Sequence, residues 1–247
     1  MNKVKKYPAY KDSGIEWIGE IPEHWEKGRI SALFEERNVK VSDKEYAPLS
    51  VTKVGVVPQL DRAAKSKDSE NRKLVCKGDF VINSRSDRKG SSGTSQIEGS
   101  VSLINTVLKP KVIKPLYAEH LLKSYGFVEE FYRNGRGIVA DLWSTNFSRM
   151  KLIQIPLPPL SEQKKIASFL DKKTVEIDKA IELKQKENEL LKERRQVAIN
   201  RAVTRGLNPN VTYKDSGIEW IGEIPEHWEV RKFRYLFSYD KGRKARN

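Results

Sequence analysis

Cysteine and histidine are scarce in this chain of 247 residues, and their scarcity excludes several kinds of protein. Cys76 is the single cysteine, so no disulfide framework forms within the chain and a reducing cytoplasm is its natural setting. His24, His120 and His227 stand far apart in the sequence, and with one cysteine they predict no metal cluster. The sequence therefore predicts neither a metalloprotein nor a disulfide-stabilised secreted protein.

Long apolar runs and the common catalytic motifs are missing as well. No stretch approaches the roughly 18 uninterrupted apolar residues of a membrane-spanning helix, and the basic N-terminus has no apolar signal-peptide core. There is no GxxxxGK[ST] phosphate loop, no glycine-rich S-adenosylmethionine motif after a strand, and no Asn/Asp-Pro-Pro-Tyr/Phe tetrapeptide of adenine methyltransferases. We therefore expect a non-catalytic, cytoplasmic protein that carries no cofactor or metal of its own.

Positive charge is what the chain has in excess. Lysine and arginine number 47 against 33 acidic residues, which gives a formal net charge of +14. Such an excess favours a polyanionic partner, and nucleic acid is the commonest one. A solubilising surface and a ribosome-bound protein are the alternatives that charge alone leaves open.

A seventeen-residue segment occurs twice without a change. Tyr10–Glu26 reads YKDSGIEWIGEIPEHWE, and Tyr213–Glu229 repeats it. The offset equals a whole domain plus a long helix, which predicts that a domain-sized unit ends near residue 206 and that a second copy of it begins there. Proteins with two similar halves usually recognise two similar targets.

Patterning within residues 1–158 predicts an α+β domain. Residues 1–26 are expected to be irregular, with Ile15, Trp17 and Trp25 as apolar anchors. Candidate strands then alternate with polar turns, and two helical pieces follow them. The strands are Ile30–Phe34, Pro48–Thr52, Leu74–Cys76, Phe80–Asn83 and Val101–Leu108, and the helical pieces are Leu116–Leu122 and Phe127–Tyr132.

A long helix is predicted from Ser161, its expected N-cap, to about Arg205. No proline or glycine interrupts it, and Gly206 followed by Asn208-Pro209 is a stop signal. At 1.5 Å per residue it is about 65 Å long, too long for its own domain to cover. Its apolar stripe therefore predicts an antiparallel partner helix, the alternative being a stripe that packs only on its own domain. The predicted dimerisation positions are Ile166, Leu170, Ile177, Ile181, Leu191 and Ala198.

Three loops carry the residue types that read DNA. The main one, residues 83–95, follows a strand and places arginine, lysine and small hydroxyls around two glycines. Arginine contacts guanine, asparagine contacts adenine, and serine or threonine suits phosphate oxygens, although each loop could instead be a solvated turn. Trp143 with Asn146 offers a further stacking contact, but a buried tryptophan is the simpler interpretation. The predicted DNA-binding residues are Lys53, Gln59, Arg62, Asn83, Arg85, Arg88, Lys89, Ser91, Ser92, Thr94, Arg133, Asn134 and Arg136.

The segment 10–26, the segment IPLPPLSEQ at 155–163 and the long helix after it together resemble the specificity (S) subunit of type I restriction–modification enzymes. The resemblance extends over essentially the whole chain. It implies target-recognition domains that each read one half of a split double-stranded DNA site, and helices that pair antiparallel as a spacer. It also implies recruitment of methyltransferase (M) subunits, which bring S-adenosylmethionine, and then of nuclease-translocase (R) subunits.

The sequence departs from that family pattern in length. It holds one recognition domain (residues 1–158), one spacer helix (159–206) and the start of a second recognition domain (207–247). We therefore expect a half-length subunit that forms a homodimer and reads an interrupted palindrome. The alternative is a regulatory or incomplete half subunit that dimerises, or pairs with a full-length specificity subunit, without supporting modification. The duplicated tail could occupy the groove of residues 10–26 on a partner copy.

Overall fold

The structure is a computed structural model that describes residues 6–60, 70–137 and 143–238. The chain divides into two compact units, Met1–Thr174 and Val175–Asn247. The first unit contains the β-rich part and the opening turns of the long helix. The second contains the rest of that helix and the repeated C-terminal segment.

The named strands are short and pair antiparallel. In chain order they are β1 (Tyr10–Asp12), β2 (Glu20–Pro22), β3 (Glu26–Arg29), β4 (Phe34–Glu36), β5 (Lys40–Val41), β6 (Leu49–Thr52), β7 (Gly55–Pro58), β8 (Arg72–Val75), β9 (Phe80–Asn83), β10 (Ser92–Thr94), β11 (Gly99–Ser102), β12 (Asn105–Pro110), β13 (Gln154–Leu157), β14 (Tyr213–Asp215) and β15 (Glu223–Pro225). The helices are α1 (Ile30–Leu33), α2 (Pro115–Lys123), α3 (Tyr125–Arg133), α4 (Phe147–Met150) and α5 (Leu160–Arg205). This mixture confirms the predicted α+β class.

The central sheet of the first unit has the strand order β10-β9-β12-β4 and is buried on both faces. Side chains alternate across a strand, so Phe80 and Ile82 of β9 join the core that packs under α2 and α3. Val81 points the other way, into a second cluster with Val107 and Val75. A strand covered on both sides is apolar without a break, which is why Phe80–Asn83 was predictable as a strand.

Two of the predicted strands are wrong. Ile30–Phe34 is instead one turn of helix, α1, followed by the start of β4, because Ile30 and Leu33 are both buried at helical spacing. Val101–Leu108 is two strands in different sheets, β11 and β12. Leu103 and Ile104 lie in the turn between them and are 45% and 40% exposed. Because these two side chains are apolar, the sequence pattern predicted one continuous strand where the structure has a turn.

The N-terminal motif, residues 10–26, is ordered into a hairpin rather than irregular. Strand β1 pairs with β2 in the register Tyr10↔Pro22. The loop between them uses Gly14 and Gly19 at φ of 65° and 71°, a backbone region that favours glycine. The next strand, β3, pairs with β13. The segments that enter and leave the domain therefore run side by side.

Helix α5 begins two residues earlier than predicted, since Ser161 as N-cap would make Glu162 the first helical residue. The backbone N–H groups of Glu162 and Gln163 donate to the carbonyl of Pro159 at 2.8 and 3.0 Å. Leu160 is therefore the first helical residue and Ser161 lies inside the helix instead of capping it. The predicted end is confirmed: the helix stops at Arg205, and Gly206 follows at φ 73°.

The C-terminal copy, residues 213–229, folds into the same hairpin as the N-terminal motif. Strand β14 pairs with β15 in the register Tyr213↔Pro225, which corresponds position by position to Tyr10↔Pro22. Gly217 and Gly222 adopt φ of 68° and 69° in its loop. The same sequence makes the same local structure in two different settings.

Candidate nucleic-acid interface

Four of the predicted DNA-binding residues are buried in the sheet. Asn83 closes β9 and is 7% exposed, and Ser91, Ser92 and Thr94 are 6%, 0% and 8% exposed. Strand β10 pairs with β9, and a Cβ on Gly93 would come within 2.8 Å of the Cα of Gly55. Side chains buried to this extent are not accessible to DNA in this structure, which counts against the prediction for these four residues. Their small size serves close packing instead.

The exposed cations of this loop lie on the tight turn between β9 and β10. Arg85 precedes a single 3-10 turn at Ser86–Arg88. The Nζ of Lys89 is 2.6 Å from Glu129 and lies 5.8 Å from the ring centre of Tyr132, so much of its charge is compensated within the protein. Arg88 is 3.5 Å from its neighbour Asp87, and both side chains are more than half exposed.

Arg85 and Arg136 come together on either side of Ser144, although three different segments supply these residues. Ser144 forms antiparallel bridges with both arginines. Backbone hydrogen bonds link Ser144 with Arg136 in both directions at 2.9 Å. On the other side, the N–H of Thr145 donates to the carbonyl of Ser84 at 3.0 Å. We call Arg85, Ser144 and Arg136 the arginine row.

The pairing of the arginine row fixes where its side chains project. Residues directly opposite each other in an antiparallel ladder point to the same face. The two bridge types place paired Cα atoms about 4.5 and 5.5 Å apart, so the Cα atoms of the two arginines are about 10 Å apart. Both arginines are exposed. The sequence predicted each of them separately but gave no signal for Ser144 between them.

Trp143 and Gly135 hold the arginine row in place. The indole N–H of Trp143 donates to the carbonyl of Tyr132 at 2.8 Å, and its ring lies so close to Gly135 that a Cβ there would be 2.3 Å from Nε1. Trp143 is half-buried, with its polar atom committed internally. Asn146 also serves the fold, since its side chain accepts from the N–H of Arg149 and caps α4.

Arg133 and Asn134 are engaged by neighbouring acidic residues. Arg133 is 2.8 Å from Glu16 and 2.7 Å from Glu130, and these partners raise its pKa. The Nδ2 of Asn134 donates to the carbonyl and carboxylate of Glu130, both at 2.8 Å. Arg133 and Asn134, which were predicted to contact DNA, therefore form contacts within the protein, with Glu130 of α3 and with Glu16 of the N-terminal motif.

The remaining predicted loop is the hairpin of β6 and β7. Lys53 is exposed at its tip, and Gln59 is half-buried after β7, where its N–H donates to the carbonyl of Pro48 at 3.0 Å. Arg62 lies outside the described residues. The structure does not join Lys53 or Gln59 to the arginine row by any hydrogen bond or ion pair among the residues it describes.

A second polar centre joins the N-terminal motif to the first turn of α5. Glu162 accepts hydrogen bonds from the hydroxyl of Tyr7 at 2.7 Å and from the indole N–H of Trp25 at 2.9 Å. Its other oxygen lies 2.6 Å from Nε2 of His24. We call these four residues the Glu162 clamp. The sequence placed Glu162 in the first turn but gave no sign of these three partners.

Proton affinities in the Glu162 clamp follow from these contacts. Burial disfavours the charged carboxylate, but the hydrogen bonds from Tyr7, Trp25 and His24 together outweigh it and lower the pKa of Glu162. The hydrogen bond to Glu162, with some burial, raises the pKa of Tyr7 to about 12. The clamp is therefore most stable with Glu162 ionised and Tyr7 protonated.

Further contacts fix the start of α5 on the domain. Gln163 is 1% exposed, donates to the carbonyl of Pro158 and accepts from the N–H of Lys114. The Nε2 of His120 lies 2.7 Å from Asp171 on the next turns of the helix. The opening turns of α5 are thus held at several points within the first unit.

The predicted dimerisation positions fall into two groups. Ile166 packs against the core of the domain, so it serves the domain itself, and Leu170 is half-buried. Farther along the helix, Ile177, Ile181 and Leu191 are 57%, 51% and 53% exposed, and Ala198 is exposed too. The stripe packs on its own domain only at its beginning.

Within the described ranges, no group of three or more His, Cys, Asp or Glu side chains is placed to hold a metal ion. In the same part of the chain, no helix combines the length and apolar character needed to cross a membrane.

The chain belongs to the family of type I restriction modification DNA specificity domains, whose sequence profile matches residues 22–193. This match confirms the resemblance indicated by the two motifs and the long helix. It includes β3, the arginine row, the whole of β13 and most of α5.

Two curated relatives come from Methanocaldococcus jannaschii. The MjaX type I restriction enzyme specificity subunit is 27% identical over 236 residues, covering 86% of this chain and 52% of the relative. The MjaVIII specificity subunit is 30% identical over 144 residues, covering 58% of this chain and 31% of the relative. The chain therefore spans between about a third and a half of the length of these relatives.

Two solved structures share the fold. One, described as the structural basis of complex assembly and conformational transition of the type I R-M system, matches with a TM-score of 0.57 at 17% identity. It covers 76% of this chain and 47% of that one. The HsdS subunit from Thermoanaerobacter tengcongensis matches with a TM-score of 0.51 at 18% identity, covering 80% of this chain and 55% of that one.

Proposed function

We propose that this chain is a non-catalytic DNA-recognition subunit of a type I restriction–modification system, and that residues 1–158 read one half of a bipartite DNA site. The observation that carries the proposal is the arginine row. Arg85 and Arg136 are exposed on either side of Ser144, and neither forms an ion pair among the described residues. Membership of a DNA-specificity family supports DNA as the partner that we propose for these two arginines.

The chemistry of the arginine row suits duplex DNA. A guanidinium group presents donors in pairs, which match either two phosphate oxygens or the O6 and N7 edge of guanine. The Cα atoms of the two arginines are about 10 Å apart, and backbone hydrogen bonds join the segments that carry them. This spacing is fixed before DNA binds, so binding does not incur the entropy cost of ordering flexible loops. Arg88 adds a third exposed cation on the neighbouring turn. The net charge of +14 adds a sequence-independent attraction to phosphates.

The rest of the chain supports a bipartite arrangement. We assign residues 159–206 to a spacer and residues 207–247 to the beginning of a second recognition segment, since residues 213–229 repeat both the sequence and the fold of 10–26. The DNA-bound subunit would recruit methyltransferase subunits, which carry S-adenosylmethionine and flip the target adenine, and then nuclease-translocase subunits.

The exposed stripe of α5 supports a homodimer. Ile177, Ile181 and Leu191 of the predicted stripe are 57%, 51% and 53% exposed, so water contacts apolar side chains along this part of the helix. A second α5, running antiparallel, has the same length and a complementary stripe. A twofold axis between them would place two identical recognition domains in opposite orientations on the DNA. The half-site would then be read twice, as an interrupted palindrome.

Mapping of methylated adenines tests this function. The chain is co-expressed with the methyltransferase subunit encoded beside it in a host that lacks other adenine methylation, and the modified sites are sequenced. We expect an interrupted palindrome. The double variant with both Arg85→Ala and Arg136→Ala removes both arginines of the row. We expect it to abolish methylation at the motif.

Lys111→Ala is the matched control. It removes one exposed positive charge at the opposite end of β12, about 20 Å from the arginine row, and should leave the motif unchanged. A non-palindromic motif would contradict the homodimer but not the reading of DNA. No motif from a soluble, folded chain that copurifies with the methyltransferase would contradict specificity and favour the regulatory alternative.

A further inference from the structure

The two identical hairpins have different surroundings, and the difference shows what the second one can bind. In the first unit the N-terminal motif sits on a definite surface. Trp17 packs edge-on against Phe127 with ring centres 6.1 Å apart, and Glu16 is 2.8 Å from Arg133. His24 and Trp25 reach Glu162. We call Phe127, Arg133 and Glu162 the hairpin seat.

The C-terminal copy carries the same four side chains, as Glu219, Trp220, His227 and Trp228. Within the second unit it rests against the end of α5, where the Tyr213 hydroxyl donates to the carbonyl of Arg205 at 3.4 Å and Trp228 lies beside Gly206. In this position Trp220 remains 80% exposed and Glu219 is exposed. The group equivalent to Trp17, which is half-buried in the first unit, is thus presented to solvent, and Glu219 is as accessible as Glu16.

Antiparallel pairing of α5 brings the C-terminal copy to the hairpin seat of the other protomer. Glu162 lies in the first turn of α5, and the C-terminal copy begins eight residues after its last residue, Arg205. In an antiparallel pair, the end of each helix lies beside the beginning of the other. The copy from one chain would then emerge next to the Glu162 of its partner.

We propose that the C-terminal copy binds the hairpin seat of a second copy of this chain, exchanging places with the N-terminal motif of that protomer. The proposal rests on the homodimer proposed above. Because the two hairpins have the same sequence and register, every contact within residues 10–26 is available to residues 213–229. The seat accommodates one hairpin at a time, so the two compete.

The flanking residues decide the competition. Tyr7 donates to Glu162, whereas the equivalent position before the C-terminal copy is Asn210. Lys27 donates to the carbonyl of Ser13 at 2.5 Å, whereas its counterpart is Val230. The N-terminal motif is also continuous with β3, which is paired to β13. The resident hairpin is therefore favoured, and the exchanged form is a minority that grows when these extra bonds are removed.

Crosslinking between two differently tagged copies tests the exchange. In a Cys76→Ser background, one copy carries Arg133→Cys and the other Glu219→Cys, and a bis-maleimide reagent joins them. Exchange between molecules gives a heterodimeric band above the level produced by random collision. The pair Glu16→Cys with Arg133→Cys in one chain shows that the reagent spans the contact. Lys111→Cys in place of Arg133→Cys gives the background.

We expect the 219–133 band to exceed the Lys111→Cys background. Adding Tyr7→Phe to the copy with Arg133→Cys should raise the band about fivefold, the factor contributed by one hydrogen bond of ordinary strength. Glu162→Ala in the same copy should abolish that increase, because it removes the anchor for both hairpins. A band at background level, with and without Tyr7→Phe, overturns the exchange.

Sedimentation of the same samples separates this result from failure of the proposed function. A dimer without the crosslink overturns the exchange alone. A monomer overturns both the homodimer and the exchange, while methylation mapping still decides whether the domain reads DNA.

Discussion

The indole N–H of Trp25 donates to the carboxylate of Glu162 across 2.9 Å, joining residues 137 positions apart in the sequence. Trp25 belongs to the N-terminal motif and Glu162 to the first turn of α5, so this bond fastens the start of the β-rich domain to the long helix. His24 and Tyr7 converge on the same carboxylate. The two segments that carry the family resemblance therefore meet at one carboxylate in three dimensions.

Removing the Glu162 carboxylate should destabilise the domain. Glu162→Ala leaves the Tyr7 hydroxyl and the Trp25 indole without their acceptor, and we expect a loss of about 1–3 kcal/mol in the free energy of unfolding, limited by partial solvent exposure. Urea denaturation measures it. Glu193→Ala, on the exposed part of α5, is the control and should change the free energy of unfolding by less than about 0.5 kcal/mol. Equal effects of the two variants would contradict the clamp.

The Glu162 clamp should also give stability a dependence on pH at both extremes. The folded pKa of Glu162 is below its ordinary value of 4.5, so this contribution is complete above pH 4.5 and is lost as the pH falls. The folded pKa of Tyr7 is raised from 10.0 to about 12, so its contribution is complete below pH 10 and is lost as the pH rises toward 12. Urea unfolding of wild type and Glu162→Gln across this range measures both effects. The free energy of unfolding of the variant should change less with pH than that of the wild type. Parallel pH profiles would contradict the roles assigned to Glu162 and Tyr7.

The arginine row should contribute to DNA affinity and to its salt dependence. Arg85→Ala or Arg136→Ala should weaken binding to the recognised sequence about tenfold or more, by about 1–3 kcal/mol if the side chain contacts a base. If it contacts a phosphate, the slope of log K against log salt should fall by about one. Titrations at several salt concentrations, with Lys111→Ala as the control, distinguish the two. Unchanged affinity in both arginine variants would show that the domain binds DNA through another surface.

Gly135 should tolerate no side chain. A Cβ at this position would lie 2.3 Å from Nε1 of Trp143 and 3.0 Å from Oγ1 of Thr145, so alanine must displace the tryptophan and strain the bridge between Arg136 and Ser144. We expect Gly135→Ala to lower the free energy of unfolding by about 1–3 kcal/mol. DNA affinity of the folded fraction should fall as well. An alanine variant with wild-type stability and affinity would mean that Trp143 moves freely, contrary to the role assigned to it.

Charge on the exposed stripe of α5 should dissociate the proposed homodimer. Leu191→Lys places an ammonium group on the apolar face, and sedimentation should show monomer at concentrations where wild type is dimeric. Gln196→Lys adds the same charge about 140° around the helix and should leave the dimer intact. Dissociation by both variants would point to charge repulsion in general, and dissociation by neither would exclude this stripe as the interface.

The parts of the fold that could be predicted are those in which local pattern and burial agree. Phe80–Asn83 is buried on both faces, and α5 lies between a proline segment and Gly206 without an internal breaker. Ile30–Phe34 was misassigned because its three buried residues, Ile30, Leu33 and Phe34, follow helical spacing over only one turn. One turn is too short for helical and strand spacing to be distinguished. The turn at Leu103 and Ile104 carries apolar side chains that solvent reaches.

The candidate site was predictable in composition but not in arrangement. The loop of residues 83–95 was recognised by its basic and small residues. Its basic residues are exposed, whereas Ser91, Ser92 and Thr94 are buried in or beside β10, the strand that pairs with β9. Ser144 joins Arg85 to Arg136 through pairings between residues far apart in sequence. Such contacts depend on tertiary structure and cannot be predicted from residue type. Glu162 likewise has partners more than 130 residues away.

The side-by-side pairing of β3 with β13 has an evolutionary consequence. It brings the two borders of the recognition domain to one place, with Glu26 opposite Leu157 and the Glu162 clamp beside them. Recombination within the two border segments could therefore replace the intervening module as a cassette while preserving the attachment of the helix. Such an exchange would leave in place the contacts that hold the helix to the β-rich domain.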